Sequence, residues 1–279
     1  MIRYTGDDIG SEATMKEFQE HLVKMLGTFH DFCRENGLRY YMSGGTLLGA
    51  VRHRGFIPWD DDIDVNMPRP DCEKLMDISG GRIEKYFFIV PNHEDEYHAY
   101  HWKLCDESLL LKKKNGKIKP VFMDIFPIEG LPDTVEENSR HYAEMRERKK
   151  QAALLFGKKK YGGRDPIKKL KRKFEVRSAE KEGREKLFRN VIDLARKYSF
   201  DDSEYIGVMM TNIHQEEERV RKSEYLPVVE MEFEDGKFNG PKGYDTYLRQ
   251  LYGDDYMELP PPAERVSRHG FVPYHRKDE

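Results

Sequence analysis

The sequence predicts an α+β fold, a mixed sheet core flanked by helices and carrying a charged helical insertion. Three observations predict it. A strongly amphipathic helix lies near the start, short apolar runs of strand length follow it up to Pro132, and the stretch from Thr134 to Tyr198 is helical in pattern and crowded with charge. The expected organisation is a core over 1–132, a helical insertion or subdomain over 133–200, and a C-terminal segment over 201–279 that completes the core's site.

Met15, Phe18, Leu22, Met25, Leu26, Phe29 and Phe32 recur at three- and four-residue steps, one apolar helical face ending at Asn36-Gly37. Leu38 to Met42 reads as a short strand running into a glycine turn, Ser43-Gly44-Gly45. A helix over Thr46–His53 follows, stopped by Arg54-Gly55 and Pro58. Ile63 to Met67 is a strand ended by Pro68, and Cys72, Leu75 and Met76 put a helix over Asp71–Ile78. Tyr86–Val90 and His98–Leu104 read as further strands. Asn115-Gly116 between Leu109–Lys114 and Lys117–Pro120 is a hairpin signal, and Val121–Ile128 is an apolar strand with Asp124 in its middle. The charged helical stretch is broken at Tyr161-Gly162-Gly163 and at Pro166. Beyond it, Ile206–Met210 reads as a strand and Tyr244–Tyr252 as a helix before Pro260-Pro261-Pro262.

Composition excludes several classes. Hydrophobic residues are 38% of the 279, enough for a core, and no apolar run approaches the roughly 20 residues that span a bilayer. The N-terminus lacks a basic region followed by an apolar stretch, so no secretory signal is read and a cytoplasmic protein is expected. Cys33, Cys72 and Cys105 stand far apart, with neither zinc spacing nor a disulfide framework. Net charge is only -3, yet from Arg146 to Lys173 basic residues are opposed by Glu147 and Asp165 alone. Such a run is either a solvated helical surface or a peripheral contact for an anionic acceptor or a membrane headgroup layer, at the inner face of the membrane. Nucleic acid is not expected as a partner, because the run has few stacking aromatics and matches no reader motif.

The chemistry concentrates in two blocks. In a strand alternate side chains share a face, so Asp62 and Asp64 point the same way and can clamp one hard cation, while Ile63, Val65 and Met67 mark the other face as core. Asp60 and Asp61 are expected to support the loop. A glycine turn entering a helix offers backbone N–H groups to a phosphate, with Ser43, Gly44, Gly45 and Thr46 as its donors, although Thr46 equally fits a helix cap. Asp124 is either a structural carboxylate satisfied by backbone donors or by a buried Lys or Arg, or a functional one, a third carboxylate on the metal or a base for an attacking hydroxyl. Arg52, Lys103, Arg265, Arg268 and His269 are either candidate positive groups for a phosphoryl centre or solvated or salt-bridged surface residues, and Trp59 is a packing residue or a stacking wall.

Ser43-Gly44-Gly45-Thr46-Leu47-Leu48-Gly49-Ala50-Val51-Arg52, then Gly55-Phe56-Ile57-Pro58-Trp59-Asp60-Asp61-Asp62-Ile63-Asp64, closely resembles the LicD family. So do Phe122-Met123-Asp124-Ile125-Phe126-Pro127 and Tyr252-Gly253-Asp254-Asp255-Tyr256-Met257 with Pro260 and Pro261. The resemblance extends from about Met15 to Tyr274. The family includes bacterial phosphocholine transferases, and fukutin-related proteins share its core motif. The resemblance implies a nucleotidyltransferase-like fold and an Mg²⁺-dependent enzyme, with Mn²⁺ as a possible substitute. That enzyme moves a phosphoryl-linked head group from a CDP-linked donor to a hydroxyl of a glycan or glycolipid acceptor, releasing CMP. Asp62, Asp64 and Asp124 match the family's metal and catalytic carboxylates. Two other readings stay open at this stage: nucleotidyl transfer with pyrophosphate leaving, and a non-catalytic binding protein on the same scaffold.

Overall fold

A computed structural model describes residues 4–91, 100–155, 166–210, 214–267 and 269–277, with the backbone alone for 166–169. Contacts divide the chain into two units, one of Met1–Val90, His101–Ile128 and Val220–Glu279, the other of Pro91–Tyr100 and Glu129–Arg219. In chain order the elements up to the division are β1 (Ile9–Glu12), α1 (Met15–Glu35), β2 (Tyr41–Met42), α2 (Gly44–His53), β3 (Asp64–Pro68), α3 (Arg69–Ser79), β4 (Arg82–Ile83), β5 (Tyr86–Ile89), β6 (Trp102–Lys113) and β7 (Ile118–Leu131). Then come α4 (Val135–Ala153), α5 (Pro166–Glu182), α6 (Arg184–Ala195) and β8 (Tyr205–Gly207). The chain closes with β9 (Val220–Arg221), α7 (Lys222–Tyr225), β10 (Val228–Phe233), β11 (Gly236–Pro241), α8 (Tyr244–Tyr252) and β12 (Phe271–Arg276). The expected class holds: a mixed sheet, helices around it, and a salt-bridged helical region.

In the first unit the sheet runs β1-β12-β6-β7-β3-β2. Its pairs are antiparallel except β3 with β7, which are parallel. One edge of β6 is shared, by β5 opposite 103–105 and by β12 opposite 109–113, and a bulge between Asp106 and Leu110 separates the two halves. Asp106 sits buried at that bulge. Its Oδ1 accepts from the Ser108 N–H at 2.8 Å, and Lys85 Nζ and His21 Nε2 lie 2.8 and 3.1 Å from Oδ2, which ties α1 and the β4–β5 corner to β6.

Helix α1 forms where the apolar period requires it. Thr14 and Glu17 close a reciprocal cap, Phe18, Leu22, Met25, Leu26, Phe29 and Cys33 are buried, and Gly37 takes φ +62 beyond the end. The Asn115-Gly116 hairpin also forms, with Gly116 at φ +80 and Asn115 Oδ1 accepting from the Lys117 N–H. Along β7, Val121, Met123 and Ile125 are buried while Phe122, Asp124 and Phe126 are half-buried, so the strand separates a core face from a polar one. All three cysteines are buried free thiols.

Several expected boundaries move. The strand after α1 is only Tyr41–Met42, and α2 begins at Gly44, so the glycine pair forms the first turn of the helix. Strand β3 starts at Asp64, which leaves Asp62 in the loop before it. Pro166 opens α5, as proline does at a first helical turn where its missing N–H is no loss. The break expected at Tyr161-Gly162-Gly163, Arg268, and the start of the strand expected from His98 lie outside the described residues.

In the second unit α4, α5 and α6 bury a core of Tyr142, Met145, Val176, Ala179, Leu187 and Val191. Their outer faces carry i,i+3 and i,i+4 ion pairs, among them Glu144–Arg148, Arg172–Glu175, Glu182–Lys186 and Glu185–Arg189. No helix among the described residues is long and apolar enough to cross a membrane.

Candidate active site

The site is built on the polar face of the sheet. Parallel pairing sets Asp64 opposite Asp124, and antiparallel pairing sets Lys103 opposite Asp124, so three ionisable groups stand side by side on β3, β7 and β6. Helix α2 is locked to this row. The Ser43 N–H donates to the Asp64 carbonyl at 3.1 Å, and Thr46 Oγ1 accepts from the Asp64 N–H at 2.8 Å. Ser43 is the N-cap residue by position and makes no side-chain cap bond, so the hydroxyl of Thr46 serves the strand instead of the helix. Gly44 adopts φ +52, and a side chain at Gly45 would meet Asp60 Oδ2 at 2.6 Å. Those two positions need glycine for different reasons, backbone conformation in one and close approach of a carboxylate in the other.

The acidic loop is fixed from both sides. Gln19 Nε2, on α1, donates to the Asp60 carbonyl at 2.8 Å. Asp61 is buried and receives the Ser267 hydroxyl on one oxygen and His269 Nδ1, 2.6 Å away, on the other. His269 Nε2 then lies 3.3 Å from Asp62 Oδ2. Ligand atoms of Asp61, Asp62 and His269 fall within 4.8 Å of one another, close enough to hold one divalent cation.

Electrostatics set the carboxylates apart. Burial pushes Asp62 up to about 8, with Asp60 beside it adding to the shift. Burial, then Asp62, raises Asp64 well above the ordinary carboxylate range, and burial with Asp61 raises Asp60. Asp64 Oδ1 is buried with no hydrogen-bond partner among the described residues. Asp124 behaves oppositely: burial pushes it up, but Lys103 and His101 outweigh that and hold it well below its usual range. Lys103 Nζ donates to Asp124 Oδ1, and His101 Nε2 stands 2.9 Å from the same oxygen. The bond to Asp61 raises His269 above an ordinary imidazole. Crowded, buried carboxylates with an orphaned oxygen are a donor set suited to a hard divalent cation, which supplies the charge they lack.

The remaining predicted residues divide. Lys103 joins the carboxylate row, and its ammonium lies 3.5 Å from the Phe122 ring centre; that of Lys119 lies 3.9 Å from the same centre. Arg52 Nη1 is engaged with the carbonyls of Tyr256 and Glu258, both at 2.9 Å, and braces the segment after α8. Arg265 donates to the Pro260 carbonyl and places its guanidinium 5.9 Å over Trp59, so those two pair with each other. Residues not singled out from sequence are His101 and Ser267; Asp61 is expected there to support the loop, but its bonding to Ser267 and His269 is not. The signal for His101 was its i,i+2 spacing from Lys103, which puts both on one face of an extended chain.

This fold and site define a class: a transferase centre in which a glycine-led helix and a carboxylate row face one another. Comparison with known proteins narrows it. Residues 37–162 match the family described as LicD/FKTN/FKRP, nucleotidyltransferase domain. The chain is 30% identical to the lipopolysaccharide cholinephosphotransferase LicD of Haemophilus influenzae, over 92% of this chain and 96% of that protein. It is 44% identical to the human ribitol 5-phosphate transferase FKRP over 33% of this chain and 17% of that one. It is also 40% identical to mannosyltransferase regulator 4 of Saccharomyces cerevisiae, over 43% of this chain and 10% of that protein. The chain belongs to the LicD family, and it is an enzyme of the LicD/FKRP phosphotransferase type.

Proposed function

We propose that the protein transfers a phosphoryl-linked head group, phosphocholine or a similar one, from a CDP-activated donor to a hydroxyl of a glycan or glycolipid. The acceptor oxygen bonds to the phosphorus bearing the head group, the bond from that phosphorus to CMP breaks, and the acceptor's proton passes to solvent or a neighbouring base. The observation that carries this reading is the row Asp64–Asp124–Lys103 beside the α2 glycine turn, with Asp62 at its end.

Asp62, Asp64 and Asp124 would hold Mg²⁺ or Mn²⁺, which would supply positive charge against the donor diphosphate. The first turn of α2, at Gly44 and Gly45, presents its N–H groups to the same phosphates. Lys103 meets the charge on the transferring group, and His269, held by Asp61, orients the Asp62 carboxylate. Asp124, held so acidic, is a poor proton acceptor at neutral pH, and its part is to orient rather than to deprotonate. Phosphoryl transfer asks little of a base, since its transition state is loose and is served by positioning and charge. The proposed setting is the cytoplasmic side at the inner face of a membrane, where a soluble nucleotide donor meets a lipid-held glycan.

The test is incubation with Mg²⁺ and a panel of CDP-linked donors, with and without glycan extract. The expected product is CMP from one donor, dependent on metal. Pyrophosphate from a nucleoside triphosphate, with no CMP from any donor, would move the protein to nucleotidyl transfer.

A further inference from the structure

We propose that the outer face of α5 docks the second unit onto an anionic phospholipid surface. Val176 and Ala179 of this helix are buried in the unit's core, which fixes the direction its other side faces. On that other side Leu170 and Phe174, one turn apart, are 57% and 60% exposed. Arg177 and Lys181 continue the same stripe at helical spacing, and Lys171 and Lys173 flank it.

The charge on this stripe differs from the paired cations along the neighbouring helices. Arg148, Lys150, Lys186 and Arg189 on α4 and α6 each face a glutamate three or four residues away, and Arg172 on α5 faces Glu175. Lys171, Lys173, Arg177 and Lys181 are exposed and make no ion pair among the described residues. Glu180 lies to one side of the stripe. Two large apolar side chains ringed by free cations match the composition of a bilayer interface, where acyl chains accept the apolar pair and phosphate headgroups the cations.

Other occupants fit less well. A second copy of this chain would set four unpaired cations against four more in a twofold contact. Two exposed apolar residues also fall short of the core of a standard protein interface, which buries roughly 800 Å² on each partner. Nucleic acid would satisfy the cations and leave Leu170 and Phe174 without a role.

The experiment is sedimentation of the full chain with vesicles of phosphatidylcholine, alone or mixed with phosphatidylglycerol, at low and high salt. Binding is expected to the mixed vesicles at low salt and to be lost at high salt. Leu170→Ser with Phe174→Ser is expected to weaken it by about tenfold per residue, and Lys173→Gln with Arg177→Gln by about fivefold per cation. All four positions are exposed, and circular dichroism checks that each variant stays folded. No binding to the mixed vesicles, equal binding to phosphatidylcholine alone, or full binding by both variants would overturn the proposal. So would a concentration-dependent dimer abolished by the Leu170 and Phe174 changes, which would assign the face to a second copy. Vesicle binding is read without turnover, so its failure is separate from failure of the donor chemistry proposed above.

Discussion

At the scale of single residues, the carboxylates of the acidic loop are held in a state that costs stability and, on the reading proposed above, serves binding. Asp62 is pushed up to about 8, chiefly by burial, so in the metal-free protein its proton must leave before a cation enters. Mg²⁺ affinity is therefore expected to rise with pH, by up to about tenfold per unit below pH 8, with proton release that calorimetry in two buffers would count. A carboxylate whose folded pKa is raised opposes folding once pH exceeds its unfolded value near 4. Asp64→Asn is accordingly expected to raise the melting temperature of the metal-free protein at pH 8 by about 3 °C while CMP release falls at least a hundredfold. An unchanged rate in that variant would remove Asp64 from the metal set. Comparing Asp61→Asn with Asp64→Asn separates the two possible ligand groups that share Asp62: Mg²⁺ affinity should collapse in the second and weaken modestly in the first.

At the scale of elements, Asp106 shows how one buried carboxylate joins a helix, a corner and a bulged strand. Burial pushes it up, but His21, Lys85 and the Ser108 amide overcome this and hold it well below the ordinary range. Its contribution is full above the unfolded pKa and is lost as pH falls through the lower folded value. Asp106→Asn is expected to cost roughly 2 kcal/mol at neutral pH, and the gap between variant and parent should close in acid, as urea titrations at pH 7 and pH 3 would measure. Elements with a local period were legible beforehand. The apolar steps of α1, the Asn115-Gly116 turn and the lone Asp124 in an apolar run each carry their signal within a few residues. The β10–β11 hairpin carries one as well, since Val229, Met231 and Phe233 alternate up to the Glu234-Asp235 turn. What local sequence does not contain is partner choice. Nothing near Phe271–Arg276 says that it pairs with both β1 and β6, and nothing near Asp64 says that its parallel neighbour is Asp124. His269 was legible as a useful group, but its bonding to Asp61 follows from tertiary closure alone.

At the scale of the whole chain, the last described strand has two tasks. It fills half of one edge of β6, and the segment leading into it delivers Ser267 and His269 to Asp61. These tasks separate by experiment. His269→Ala is expected to leave the melting temperature within about 3 °C of the parent while lowering turnover. Ending the chain at Ala263 exposes edges of β1 and β6 together and is expected to abolish the cooperative transition. Equal effects of the two changes on the thermal transition would show that His269 acts through folding.

The bond between Asp61 and His269 spans 208 positions of sequence. During translation the acidic loop emerges well before the imidazole that steadies it, which follows 208 positions later. A nascent chain therefore carries its carboxylates without their alignment until His269 has been added, and on the reading proposed above the order of synthesis itself withholds the complete site until then.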